Sequence, residues 1–231
     1  MMTSIAALLL PIALMQAGAA HSVDAAAHNA ERFSHCVALI DEDAGRAYEE
    51  AMAWAADGQA VGAYRCAAMA LIAQNRASEG ARRLDSLGSA VNPAETAMRA
   101  ELFSQAGNAW LLAREPARAR SSFTRAITTI GSDPVQLPDL LIDRARAYAM
   151  EEDWRHAEED LSRALDIRAN DALALRLRAA ARMHQRSFSL AEADAQQALR
   201  LAANEDERVG AALVLGHVRE SQRTGTVVEE Q

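Results

Sequence analysis

The chain has 231 residues and a net charge of −8; half of its residues are hydrophobic, yet only 4% are aromatic. That length suits one domain or one repeat array, and an Ala-rich, aromatic-poor composition favours closely packed helices over a sheet-built core. The acidic balance argues against a general nucleic-acid binder, which needs excess Lys and Arg to displace counterions from phosphates.

Residues 1–20, MMTSIAALLLPIALMQAGAA, carry no charge, and an apolar run leads to Ala17-Gly18-Ala19-Ala20. An apolar core followed by small residues predicts a secretory signal segment cleaved near Ala20, although no Lys or Arg precedes the core. The apolar run is too short to span a membrane comfortably, so no span is expected after cleavage. The expected destination is export, to the periplasm or envelope if the source is a Gram-negative bacterium. A short linker over 21–27 follows.

Beyond the linker, helical spacing takes over. A helix is expected over 29–40, followed by one that puts Ala47, Ala51 and Trp54 on a single face. Tyr64, Ala68 and Leu71 mark the next helix, and Gly80, Leu84 and Leu87 the one after, ended by Asn92-Pro93 because the residue before Pro is pushed out of helical geometry. Phe103, Gly107 and Trp110, then Ala119, Phe123 and Ala126, mark another pair, with Pro116 in a first turn where its missing N–H costs nothing. The clearest stretch is 141–170: Ala145 and Tyr148 precede a turn, and Ala157, Leu161 and Ala164 share a face after it. Shifting the frame by 34 residues carries Ala157 onto Ala191 and Ala164 onto Ala198. A final helix over 206–221 is expected to turn Val209, Ala212, Leu213 and Gly216 inward, with a flexible tail over 222–231.

A helix–turn–helix unit repeating every 34 residues resembles the tetratricopeptide repeat (TPR) family, here as an exported bacterial member. The resemblance implies an all-α, right-handed α-solenoid over 28–221, with units at about 28–60, 61–94, 100–133, 138–171 and 172–205 and a capping helix at 206–221. It also exposes an irregularity: Arg178 and Arg182 of the last unit stand where the family usually has apolar residues.

Cys36 and Cys66 are the only cysteines. In an exported chain an even pair is a disulfide candidate, and the repeat frame puts the two on neighbouring first helices; two buried free thiols are the alternative. No CxxC, HExxH, GxSxG, P-loop or GxGxxG occurs, and the carboxylate runs 151–153 and 158–160 read as a helix start and a solvated face. No catalytic residue, metal site or cofactor is therefore expected.

Partners of the family usually lie along the inner faces of the first helices. Carried over, those positions include Asn108, Leu112, Arg146, Met150, Arg176 and Met183, a groove suited to an acidic or mixed peptide. The chaperone-tail carboxylate clamp of one subgroup is not reproduced, because Asp143, Leu173 and Leu177 replace its Asn, Lys and Arg. The expected function is a non-catalytic scaffold for a peptide segment or partner subunit in the cell envelope. A structural protein that self-associates into a homo-oligomer without a peptide ligand is the alternative.

Overall fold

The computed structural model describes residues 11–58 and 60–228, with side chains from residue 26 onward. Among these residues the regular elements are eleven helices and no strand. The chain is an all-α solenoid of helical repeats, and it divides into two compact units, Met1–Gln74 and Asn75–Gln231. The division falls inside the second expected repeat, in the turn between its two helices. No helix among the described residues is long and apolar enough to cross a membrane.

The first unit contains α1 (Pro11–Glu42), α2 (Ala44–Gly58) and α3 (Val61–Ala73). α1 exceeds the expected 29–40: it starts at Pro11 and passes straight through the expected linker 21–27. That stretch, HSVDAAA, holds neither Gly nor Pro and ends in three strong helix formers, so nothing local stops the helix. The expected signal segment lies partly here and partly in residues 1–10, which are outside the described residues. The Asp43 carboxylate accepts from the Arg46 backbone N–H at 3.0 Å and caps the start of α2. Ala47, Ala51 and Trp54 are buried together, as their spacing predicts. Cys36 of α1 and Cys66 of α3 form a disulfide, with Cα atoms 6.3 Å apart. The bridge sits in a core with Ala51 and Ala67. Closing a loop across a sequence separation of 30 restricts the unfolded chain and stabilises the unit by about 3–4 kcal/mol.

The second unit runs α4 (Ala77–Ala90), α5 (Thr96–Leu112), α6 (Pro116–Ile130), α7 (Leu137–Met150), α8 (Trp154–Ile167), α9 (Ala172–His184), α10 (Phe188–Leu201) and α11 (Glu205–Thr224). Each helix packs on the next, and α5 also packs on α7, α7 on α9, and α9 on α11. Such stacking of alternate helices buries a continuous core that no single pair could bury alone. Asn75, Arg114, Glu152 and Arg186 all have φ between 56° and 62°, and they stand at one and the same place in four successive repeats. Within the second unit, Arg114, Glu152 and Arg186 each reverse the chain after a first helix. The Glu115 N–H reaches the Trp110 carbonyl and the Arg114 N–H that of Leu111, the two bonds of a Schellman cap.

Small residues set how close the helices come. A Cβ added to Gly107 of α5 would sit 2.5 Å from the Phe123 ring of α6. Ala157, Leu161 and Ala164 of α8 are each 1% exposed, in one cluster with Leu141, Ala145 and Leu175. The two Arg at nominally apolar places do not weaken this packing, because an acid on the following helix meets each of them. Arg178 grips Asp194 of α10 with Nε and Nη2 at 2.8 and 2.9 Å. Arg182 adds bonds of 2.7 Å to the same carboxylate and to Glu158. One repeat earlier, Arg144 grips Asp160 of α8 at 2.7 and 2.8 Å. Burial opposes the Arg144 charge, but the Asp160 hydrogen bonds and charge outweigh it and hold the guanidinium pKa above its ordinary value.

Two expectations fail at the C-terminal end. α11 buries Ala211, Val214, Leu215, Val218 and Ser221 instead of the expected face. Val209 and Leu213 are 48% and 57% exposed, and Ala212 and Gly216 are exposed with them. The run VGAALVLGHV is apolar on nearly every side, so spacing does not choose a face, and packing on α9 and α10 does. The expected flexible tail is also tied down as far as it is described. Gly225 takes φ 72°, Val227 packs against the α9–α11 core, and the Val228 N–H donates to buried Ser221 Oγ at 2.9 Å.

Replacing Ala157 by Leu overpacks this contact and should lower stability by about 1–3 kcal/mol in urea unfolding; unchanged stability would mean the helix contact is looser than described. Asp194→Ala strands two mostly buried guanidiniums and should cost about 3–5 kcal/mol. Asp166→Ala, on the surface of α8, should stay within about 0.5 kcal/mol of the parent.

Candidate functional site

The faces of α5 and α7 bound a hollow of about 560 Å³ lined by Asn108, Leu111, Leu112, Arg114, Arg146 and Met150. Leu112 and Met150 end their helices, and each lies just before the left-handed turn. The next turn draws the chain away to the second helix, which leaves Leu112 69% and Met150 42% exposed. Large apolar side chains this exposed, beside cations, form a surface that gains by being covered.

Polar groups mark one wall. Asn108 Nδ2 donates to Asp143 Oδ2 and to the Ser104 carbonyl, both at 3.3 Å. Arg146 Nη1 donates to Asp143 Oδ1 at 3.1 Å, one turn away on the same helix. Burial raises the Asp143 pKa above the ordinary carboxylate value; Asn108 and Arg146 work against the rise, and nearby Asp139 adds to it. Asp143 therefore holds both polar residues in place at a cost to the ionised fold. The Arg114 side chain makes no hydrogen bond or ion pair among the described residues, and it lines the hollow beside Arg146.

Four of the six residues expected along the groove thus come together: Asn108, Leu112, Arg146 and Met150. Arg176 does not join them. It lines a second hollow of about 350 Å³ with Ala172, Leu173, Asp206, Glu207 and Gly210, where α9 meets α11. Met183 does not join them either: it is 2% exposed and packs with Ala179, Ala191 and Val214. Its place on α9 faces inward because α10 and α11 close over it, a contact that a single repeat does not reveal. Arg114 is the member that repeat positions missed. Its signal lay in the turn register, since it holds the left-handed place that directs a side chain off the end of α5.

No family model matches the chain, and no curated protein matches it. Solved structures do. The first TPR domain of human RPAP3 is 24% identical with a TM-score of 0.48, over 54% of this chain and 93% of that one. The Arabidopsis OM64 TPR domain is 25% identical with a TM-score of 0.47, over 52% and 94%. A chain of the APC/C hetero-tetramer Cut9–Hcn1 is similar over more of this chain, 82%, and over 42% of its own length, at 13% identity and a TM-score of 0.47.

Asp143 gives the hollow a pH signature. A carboxyl whose folded pKa is raised binds its proton more tightly in the folded state, so its contribution to stability falls as pH rises from the unfolded value through the folded one. Asp143→Asn should therefore melt higher than the parent at pH 7, and the two should converge below pH ~4, where the unfolded carboxyl also takes up a proton. Equal melting at both pH values would show that Asp143 is not strained by burial.

Proposed function

We propose that the second unit is a non-catalytic binding module that takes an acidic peptide segment bearing a large apolar side chain. The observation that carries this reading is the hollow itself, where exposed Leu112 and Met150, at the ends of adjoining first helices, stand beside Arg146 and the turn residue Arg114. Leu112 and Met150 would bury the apolar side chain, Met adapting to its shape. Arg114 and Arg146 would take the flanking carboxylates through charge-assisted hydrogen bonds, while Asn108 would bond the peptide backbone. Arg146 already shares one donor with Asp143, so an incoming acid competes with that carboxylate. The site accordingly favours ligands with more than one negative charge.

We further propose that the protein acts outside the cytoplasm, as a scaffold in the cell envelope. The uncharged, largely apolar sequence of residues 1–20 supports this, and so does the Cys36–Cys66 bridge, because such bonds persist in oxidising compartments.

Fluorescence anisotropy with labelled peptides in which Leu or Phe sits between two or more Glu or Asp tests the binding reading. Binding should weaken at least about tenfold in Arg114→Glu, Arg146→Glu, and should weaken as salt rises. Asp143→Asn, which releases Arg146, should bind several-fold tighter. Indifference to all three substitutions would place any binding elsewhere.

A further inference from the structure

The two oxygens of the Asp143 carboxylate have different partners. Oδ2 accepts from Asn108 Nδ2 of α5 at 3.3 Å, and Oδ1 accepts from Arg146 Nη1, one turn on, at 3.1 Å. Asn108 and Arg146 line the hollow, and Asp143 stands just behind them with 22% of its side chain exposed. The Asn108 amide is neutral, so only the Oδ1 side is met by a charge that an acidic ligand can draw away. The other charged groups around Asp143 do not replace that charge. On its own helix, exposed Asp139 stands one turn back and repels it. On α5, exposed Glu101 lies two turns before Asn108, and Arg114 lies past the helix end. On α9, the place 34 residues on is the apolar Leu177. Towards α8 and α6, Arg144 is engaged with Asp160 and Thr124.

We propose that an acidic peptide is bound here together with a proton, which Asp143 takes up at Oδ1 as Arg146 turns to the ligand. This rests on the peptide reading of the hollow and adds its regulation by pH. A ligand carboxylate that takes Arg146 stands close to Asp143, and two acids within about 4–6 Å of each other do not both stay ionised without cost. Of the two, Asp143 receives the proton, because burial already favours its neutral form while the ligand's acid faces water. The exchange balances: a proton from solvent replaces the guanidinium at Oδ1, and Oδ2 goes on accepting from Asn108. The protonated Oδ1 turns from acceptor to donor and bonds the incoming carboxylate in its turn. Linkage is reciprocal, so a ligand that favours the proton is itself favoured by it. Affinity for acidic peptides therefore rises as pH falls from neutral, until the ligand's own acids are protonated.

Titration calorimetry of the full chain with a peptide in which Leu sits between Glu residues tests this. Repeating it at one pH in two buffers of different ionisation enthalpy counts the protons exchanged. At pH ~6 the parent should take up a measurable fraction of a proton, at most about one, on binding. Its Kd should fall roughly threefold or more from pH ~7.5 to ~5.5. Asp143→Asn, which keeps the shape and loses the titrating acid, should bind tighter at neutral pH and show neither the uptake nor that slope. The His residues titrate in the same range but are common to parent and variant, so the difference between the two belongs to Asp143. A peptide with Gln in place of every Glu should bind weakly and take up no proton, since it does not compete for Arg146. Binding that depends on Arg114 and Arg146 but takes up no proton overturns the proposal and leaves the peptide reading standing. Equal uptake in parent and Asp143→Asn overturns it too, as does uptake with the Gln peptide. If no such peptide binds at either pH, both readings fall.

Discussion

The contact between a first helix and the helix that follows it is the interaction on which the second unit depends. Neither helix buries enough alone. Small residues at the centre of the contact, such as Gly107 under the Phe123 ring and Ala145 beside Leu161, let the backbones approach closely. Dispersion and burial then act over the whole interface rather than at scattered points. Because the same contact recurs in each repeat, its register propagates: the left-handed turn residues fall at one place, and so do the stripes that face the next helix.

That register also explains how charged side chains come to lie within the stack. Arg144 and Arg178 occupy a place that apolar residues could fill, and each is acceptable only because an Asp on the following helix meets it with two hydrogen bonds. Replacing such a pair with apolar residues is often neutral for stability, whereas removing one partner is costly. The pairs therefore act more as a register lock than as a source of stability. A helix slipped by one residue would lose both bonds and bury two charges.

The hollow at α5 and α7 is a by-product of the same geometry. α5 and α7 each end in a turn that bends the chain away, and the last apolar residue before that turn is left uncovered on the inner side. Leu112 and Met150 are such residues. Arg114 stands at the left-handed place itself, and Arg146 one turn upstream of Met150, so cations ring the apolar floor. At α9 the corresponding inner surface is shared with α11, and Arg176 faces Asp206 and Glu207 there instead. The two hollows are consequently unlike in charge: the one at α5 and α7 is lined by Arg114 and Arg146, the one at α9 and α11 by one Arg and two acids.

Much of the fold was legible in the amino-acid order. The 34-residue recurrence of Ala157 and Ala164 at Ala191 and Ala198, together with breakers between helices, determined the helical elements, their pairing and the buried stripes, because close helix contacts leave a periodic imprint of small residues. The same frame also picked out Asn108, Leu112, Arg146 and Met150, which line the hollow at α5 and α7. What only tertiary structure decided lies where that imprint is ambiguous. Met183 belongs to the core because α10 and α11 close over it from a distance in sequence. α11 is apolar on nearly every side, so its orientation came from the surface that α9 and α10 offered. α1 extends through the expected linker because local signals contain nothing to end it, and the residues after Thr224 fold back because Ser221 and the α9–α11 core supply partners that no local pattern announces. Periodicity records which residues must be covered, but the covering partner is chosen in three dimensions.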